Sequence, residues 1–312
     1  MKNRSTRKVN FFIIGAAKSG TTSLGKYINE HPDVFMCPKK EPRYFALKDS
    51  KDTSVMGPRG NILPLDGITD LEKYRSLFND ASNESIVGDN SPRYMEKSTK
   101  SSKHIFQYNP DAKLLAILRN PIDRSYSHFQ MNVRSTVEDE NYINKDGSLN
   151  EGVLTERLSD SFYVKKGMYG EQLSDFLDMF PQSQVKVVLF ENLKNNPLLL
   201  IKSIYRFLEV DTSFIPDIGS KYNVGGIPKS SWLQQLIKSP SSLKSIAHKV
   251  IPNSLYTNMK WYIYKRNQRK APELPASVHK QLVNHYKRDI RKLQNCVDID
   301  IGHWLEATEN SS

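Results

Sequence analysis

The sequence predicts an α/β fold with a central parallel sheet flanked by helices, and two observations carry that prediction. Short continuous apolar runs recur at Val9–Ile14, Lys113–Leu118 and Gln184–Phe190, and stretches of helical periodicity lie between them. Strands apolar on both faces belong to parallel sheets covered by helices on each side. The first run ends at Gly15, and Thr21–Glu30 then reads as a helix closed by His31-Pro32. Lys113–Leu118 passes through Arg119-Asn120-Pro121 into a helix reaching Arg134, where proline suits the first helical turn. Gln184–Phe190 sits between an amphipathic helix over Tyr169–Phe180, stopped by Pro181, and another over Pro197–Leu208. Two stretches break the alternation and read as loops: Lys48–Gly67, rich in Gly and Pro, and the polar Asn132–Asn150. After Gly225-Gly226-Ile227-Pro228 the composition turns basic with a helical pattern. We therefore take 1–312 as one domain, with a core over 9–228 and a basic, mainly helical C-terminal part over 229–312.

Composition narrows the class. Of 312 residues 38% are hydrophobic and 10% aromatic, enough to offset the entropy of ordering, which excludes a disordered chain. No internal repeat supports a solenoid. The two cysteines, Cys37 and Cys296, are too few for a disulfide framework and lack metal-ligand spacing, which points to a reducing compartment with a single bridge left open, and the lack of a transmembrane stretch in the sequence makes a cytoplasmic setting the expectation. No apolar run reaches the roughly 18 residues of a membrane span. The start MKNRSTRKVNFFIIGAAKSG imitates a secretory leader, but Lys18 interrupts it and a buried strand entering a loop explains it better. The formal net charge is +11, and it has an address. Between Lys238 and Lys292 stand 13 Lys/Arg against two acids, Glu273 and Asp289, while the rest of the chain carries 32 of each sign. Such a segment suggests an anionic partner.

Two motifs carry chemistry. Gly15-Ala16-Ala17-Lys18-Ser19-Gly20-Thr21-Thr22-Ser23 joins the first strand to the first helix. Small residues let the backbone curl round an anion, Lys18 adds a point charge, and Thr21, Thr22 and Ser23 add hydroxyls at a helix N-terminus. A nucleotide triphosphatase loop would place Lys-Ser/Thr directly after its second glycine, whereas here the lysine precedes Gly20. The second motif is Arg119-Asn120-Pro121-Ile122-Asp123-Arg124-Ser125-Tyr126-Ser127, which puts Arg119 at the carboxyl end of a strand, where ligands of parallel sheets gather. A planar guanidinium beside a serine suits a second phosphate. Two anion sites on one edge imply a ligand with two separated phosphate groups.

In this setting FFIIGAAKSGTTSL resembles the 5′-phosphosulfate loop of sulfotransferases that use 3′-phosphoadenosine 5′-phosphosulfate (PAPS), and LLAILRNPIDRSYSHF resembles their 3′-phosphate motif. Further similarity lies in HPDVFMCPKKEPRYFA, SPRYM and GMYGEQLSDFLDMFPQSQVKVVLFENLKNNP. The resemblance is to the bacterial and heparan-sulfate-type branch, and it implies a three-layer P-loop-like fold and transfer of a sulfuryl group to a hydroxyl or amine. It further implies PAPS as donor, released as adenosine 3′,5′-bisphosphate, with no metal. Lys18 would neutralise the departing phosphate, and main-chain N–H groups from Ser19 to Thr22 would cradle it. Arg119 and Ser127 would hold the 3′-phosphate, with Lys265, Arg266, Arg269 and Lys270 over the donor. Glu41, in KKEPRYF, takes the base position, with Arg43 where relatives have histidine, and Asp89 is the second candidate. Asp89, Arg93 and Tyr94 are the expected acceptor contacts, whereas the lone His104 and His128 are read as structural. The expected partner is a small-molecule or carbohydrate acceptor, with peripheral membrane contact left open and no nucleic-acid motif present. A phosphate-transferring kinase, or a polyanion-binding protein using the basic segment, remain the alternatives.

Overall fold

In the computed structural model the structure describes residues 8–51, 54–135, 137–138, 141–144, 148–219, 227–230, 233, 262–264 and 266–306. The N-terminal part runs β1 (Phe11–Gly15), α1 (Thr21–Asn29), β2 (Val34–Met36), α2 (Tyr44–Leu47), β3 (Ser54–Met56), β4 (Ile62–Pro64) and α3 (Leu71–Ser76). It continues through β5 (Ile86–Asn90), α4 (Arg93–Glu96), α5 (Ser98–Tyr108), β6 (Lys113–Leu118) and α6 (Pro121–Arg134). Next come α7 (Glu151–Leu158), α8 (Ser161–Val164), α9 (Tyr169–Leu177), β7 (Val185–Leu189), α10 (Phe190–Asn195) and α11 (Pro197–Leu208). The described C-terminal part holds β8 (Ile227–Pro228), β9 (Gln268–Arg269) and α12 (Ala276–Cys296).

The main sheet has five strands in the order β2-β5-β1-β6-β7, all parallel. Alternate side chains of its strands enter two separate cores, as the two-residue period of a strand requires. Phe11, Ile13, Leu115 and Ile117 pack under α1 and α11 through Leu24, Ile28, Ile201 and Ile204. Phe12, Ile14, Leu114 and Ala116 pack on the other face under α5, α6, α9 and α12 through Ile105, Phe129, Phe176 and Leu282. Helices on both faces of a parallel sheet make the three-layer α/β architecture the apolar runs predict. Because α1 leaves β1 toward one face and α6 leaves β6 toward the other, a crevice opens between the carboxyl ends of these neighbouring strands.

The basic C-terminal helix is part of the same core. Leu282, Tyr286, Ile290 and Leu293 of α12 are buried in it, and Asp289 accepts the N–H groups of Gly170 and Glu171, each at 2.9 Å. Asp289 thereby caps the first turn of α9, which has no capping side chain of its own.

Two readings need correction. Lys48–Gly67 is not wholly irregular: β3 and β4 pair antiparallel across the Gly57–Asn61 turn. Three-residue strands interrupted by Gly and Pro leave too little alternation to be read. Nor is Asn132–Asn150 all loop, since α6 runs on to Arg134 and Ile143 bridges Leu149. Of the predicted helical segment after Ser230, residues 231–232, 234–261, 265 and 307–312 lie outside the described residues, Lys265 among them.

Candidate active site

The loop after β1 is built to leave donors free. Gly20 takes φ +87° as the N-cap of α1, a left-handed conformation natural to glycine, and offers no side-chain cap to the helix. A β-carbon there would also meet the Phe190 ring at 3.1 Å and Leu193 at 3.0 Å. The first-turn N–H groups of α1 are therefore left for an anion. The Ser19 N–H is spent on the Ala16 carbonyl at 3.2 Å, so the expected cradle from Ser19 to Thr22 narrows to Gly20, Thr21 and Thr22. Asn90, ending β5, fixes the start of α1 by donating to the Thr21 carbonyl at 2.8 Å. Ser19 is fully buried and its Oγ has no partner in hydrogen-bond geometry, although the Tyr169 hydroxyl lies close enough to feel it. A buried hydroxyl without a partner beside free N–H groups fits a phosphate-like ligand.

Lys18 follows in a left-handed conformation at φ +75°, uncommon for a side-chain-bearing residue and typical of sites held under constraint. Its Nζ lies 3.6 Å from the Met131 sulfur of α6. Burial pushes its ammonium down to about 8, and Arg134, Arg119, Lys40 and Arg124 add to the shift in that order. Four cations around a fifth place both sequence motifs in one field, across the crevice between β1 and β6. Such a cluster is unfavourable until an anion enters it.

Two aromatic residues hold the motifs together. Phe190, directly after β7, touches the Gly20 position on one side and lies 5.1 Å beneath the Arg119 guanidinium on the other. Tyr169, at the start of α9, donates to the Arg119 carbonyl at 3.0 Å. Among the described residues the Arg119 guanidinium faces one carboxylate, the distant Asp123 at 3.9 Å. Asn120 caps α6 by accepting from Ile122 N–H at 3.0 Å, and Ser127 stands partly exposed on that helix. The β8–β9 pair lies beside the same helix, and Tyr126 donates to the Pro272 carbonyl at 2.8 Å. Arg269 and Lys270 on that flank are exposed, and Lys270 pairs with Glu273 at 3.2 Å. They stand near the helix of the second motif without a shown contact to it.

Glu41 follows β2 at the same edge, beside Lys40. Its φ is +49° and that of Arg43 is +59°, so both ends of a tight loop are left-handed. Arg43 donates to Glu41 through Nε at 3.0 Å and through Nη2, both to Oε2. Arg43 is itself fixed, its N–H on Ser91 Oγ at 3.1 Å and its Nη1 on the Asp66 carbonyl at 2.9 Å. The substitution of arginine for histidine thus gives Glu41 a rigid brace, and Oε1 is the oxygen left for another partner.

Asp89 and Tyr94 are placed differently from the expectation. Both are 0% exposed, so neither presents an atom to an acceptor. The Asp89 carboxylate accepts from Tyr94 at 2.6 Å, Ser91 at 2.7 Å and Tyr74 at 2.9 Å. Burial pushes it up to about 6 against those three hydrogen bonds. It is a knot at the end of β5, and Asp89→Asn is expected to cost about 2 kcal/mol of stability while leaving the acceptor KM unchanged. Thermal unfolding alongside kinetics checks this, and a raised KM with an unchanged melting point would return Asp89 to the acceptor side. Arg93 is half-buried, and its charge falls on the buried Glu96–Lys166 pair, joined at 2.9 Å. His128 is buried and held well below the usual imidazole range by burial and by Arg124, and His104 bonds the Phe45 carbonyl at 3.1 Å. Among the described residues no group of three or more His, Cys, Asp or Glu is arranged to hold a metal ion.

A strand, a glycine-bounded loop and a helix facing a second cation site at the next strand end form a P-loop-like arrangement in a three-layer α/β fold. Comparison then fixes the family. The profile of the sulfotransferase family matches residues 10–214, and the chain belongs to that family. It is 21% identical over 280 residues to the membrane-associated sulfotransferase kil1 of Dictyostelium discoideum, covering 65% of this chain and 56% of that protein. Carbohydrate sulfotransferase 15 of Rattus norvegicus is 26% identical over 254 residues, covering 64% of this chain and 44% of the relative. The chain thus spans about half the length of these relatives. The crystal structure of a sulfotransferase from Alicyclobacillus acidocaldarius superposes with a TM-score of 0.66 at 26% identity, covering 96% of this chain and all of that one.

Proposed function

We propose that the protein transfers the sulfuryl group of PAPS to a hydroxyl or amino group of a carbohydrate or small-molecule acceptor. The observation that supports this best is that Lys18 feels the charge of Arg119 across the crevice between β1 and β6, with the Phe190 ring set between Gly20 of the first loop and the Arg119 guanidinium. The bound donor supplies the activated sulfuryl group. The N–H groups of Gly20, Thr21 and Thr22 with the Thr21, Thr22 and Ser23 hydroxyls hold the 5′-phosphate side, and Arg119 with Ser127 holds the 3′-phosphate. Lys18 neutralises charge as it grows on the departing oxygen, a stabilisation that is strong in a partly buried site. Glu41 takes the acceptor's proton through Oε1, with Arg43 fixing the orientation of the carboxylate. Carbohydrate acceptors are favoured because one of the relatives is named for them. A cytoplasmic setting remains part of the proposal, supported by Cys37 and Cys296 being free thiols. No described helix is long and apolar enough to cross a membrane.

The direct test is a labelled-sulfate donor assay against a panel of sugars, phenols, amines and alcohols. Transfer that persists in a chelator supports the reading, and transfer of phosphate from ATP with dependence on a divalent cation would replace it with the kinase alternative. Titration of Lys18 gives a second test. The cationic form binds the donor, and the free-state value is about 8. Affinity for adenosine 3′,5′-bisphosphate should therefore be level near neutral pH and fall about tenfold between roughly pH 8 and 9.5. Calorimetric titration reads this, and a level profile across that window would remove Lys18 from the anion site.

A further inference from the structure

The net charge of the chain lies in its C-terminal segment, whose two acids offset it only in part, Asp289 acting on Lys292 without an ion pair. Of the two, Asp289 is buried with both oxygens on the N–H groups of α9, and Glu273 is paired with Lys270. The undescribed stretch from 234 to 261 contains no Asp or Glu in its sequence. Lys280, Lys287, Arg288, Arg291 and Lys292 all lie on the exposed side of α12, and none of the five makes an ion pair among the described residues. Their spacing puts them on one face of the helix over about 18 Å. Like charges on one exposed face repel one another weakly, and an anion that spans them relieves that repulsion.

We propose that this face of α12 is a docking surface for a linear anionic polysaccharide, a chain bearing carboxylate or sulfate groups. The choice of a glycan among polyanions rests on the sulfotransferase reading above. The helix surface itself argues against the other polyanions. Its exposed positions carry only small, hydroxyl, amide, imidazole and cationic side chains. A surface that enters a bilayer interface would present Trp, Phe or Leu beside the cations, and one that grips single-stranded nucleic acid would present stacking aromatics. The ridge is rigidly joined to the candidate site, because Tyr286 shares a 2.7 Å hydrogen bond with Ser125, two residues before Ser127 on α6. His279, near the start of α12, feels the charge of Asp123 one turn from Arg119. A glycan held on the ridge would raise the local concentration of acceptor groups near the crevice.

The experiment uses the full chain and a fluorescein-labelled heparin-derived octasaccharide, with anisotropy read at low and at physiological salt. Wild type should bind the probe and bind it more weakly at higher salt. The variant K287Q/R288Q/R291Q/K292Q should lose at least about tenfold in affinity, the order expected from four exposed charge contacts. Its thermal shift with adenosine 3′,5′-bisphosphate should match wild type, which shows fold and donor site to be intact. Equal affinity of variant and wild type overturns the proposal, as does tighter wild-type binding to duplex DNA or to phosphatidylserine vesicles. A wild-type chain that gives no shift with the bisphosphate removes the donor reading instead, and the anisotropy comparison still decides the ridge.

Discussion

Replacing Lys18 by methionine should reduce sulfuryl transfer about 10³-fold and leave the protein more stable than wild type at neutral pH. The loss follows from removing the one ammonium group on the loop that faces the departing oxygen. The gain follows from the sign of the shift. Burial and four neighbouring cations push Lys18 down to about 8 from the ordinary lysine value, so the charged form costs stability in the fold. That cost is full below pH 8 and fades as pH rises through the folded value toward the unfolded one. Relief of order 1–2 kcal/mol is expected at pH 7, allowing for partial exposure of the side chain. Methionine keeps the length and the β-carbon, so the left-handed backbone at φ +75° is equally strained in both proteins. Differential scanning calorimetry of the ligand-free protein with an assay of transfer checks both halves. A variant that is inactive because it melts early would contradict the assignment.

Glu41→Gln should lower kcat by about 10²–10⁴ and leave donor affinity unchanged. Glutamine preserves the shape and can still accept from Arg43 through its carbonyl oxygen, but it cannot take a proton. The Arg43 brace supplies the companion experiment. Arg43 holds Glu41 by two hydrogen bonds to one oxygen and is itself fixed to Ser91 and Asp66, so Arg43→Ala should lower kcat less than Glu41→Gln does. Wild-type turnover in the Glu41→Gln enzyme would transfer the role of base to another group.

Elements with strong local signals were legible residue by residue. Lys113–Leu118 is apolar throughout, Pro121 and Pro197 mark helix starts, and β6, α6 and α11 have the limits those signals predict. β2 and β5 were not legible, because one has three residues and the other ends in Gly88-Asp89-Asn90, which reads as a turn. Pairing of β5 with β1, and of β2 with β5, overrides the local preference. In the site, Lys18 and Arg119 were legible because their motifs hold them at strand ends. Phe190, Tyr169 and Arg134 were not, since they reach the site from β7, α9 and the end of α6, and only the fold brings them together. Phe190 had a faint signal as the last apolar residue of a run beside β6. Asp89 and Tyr94 show the opposite error, for a polar motif next to a proline looks like a surface loop until burial is known.

The central claim is that the loop of Lys18 and the pair Arg119 and Ser127 form one site for a ligand with two separated phosphate groups. The measurement that tests it most directly is calorimetric titration of wild type and Arg119→Ala with adenosine 3′,5′-bisphosphate and with adenosine 5′-monophosphate. Wild type should prefer the bisphosphate by about tenfold or more, and the variant should bind the two ligands alike. Equal affinity of wild type for both ligands, or an undiminished preference in the variant, would contradict the account.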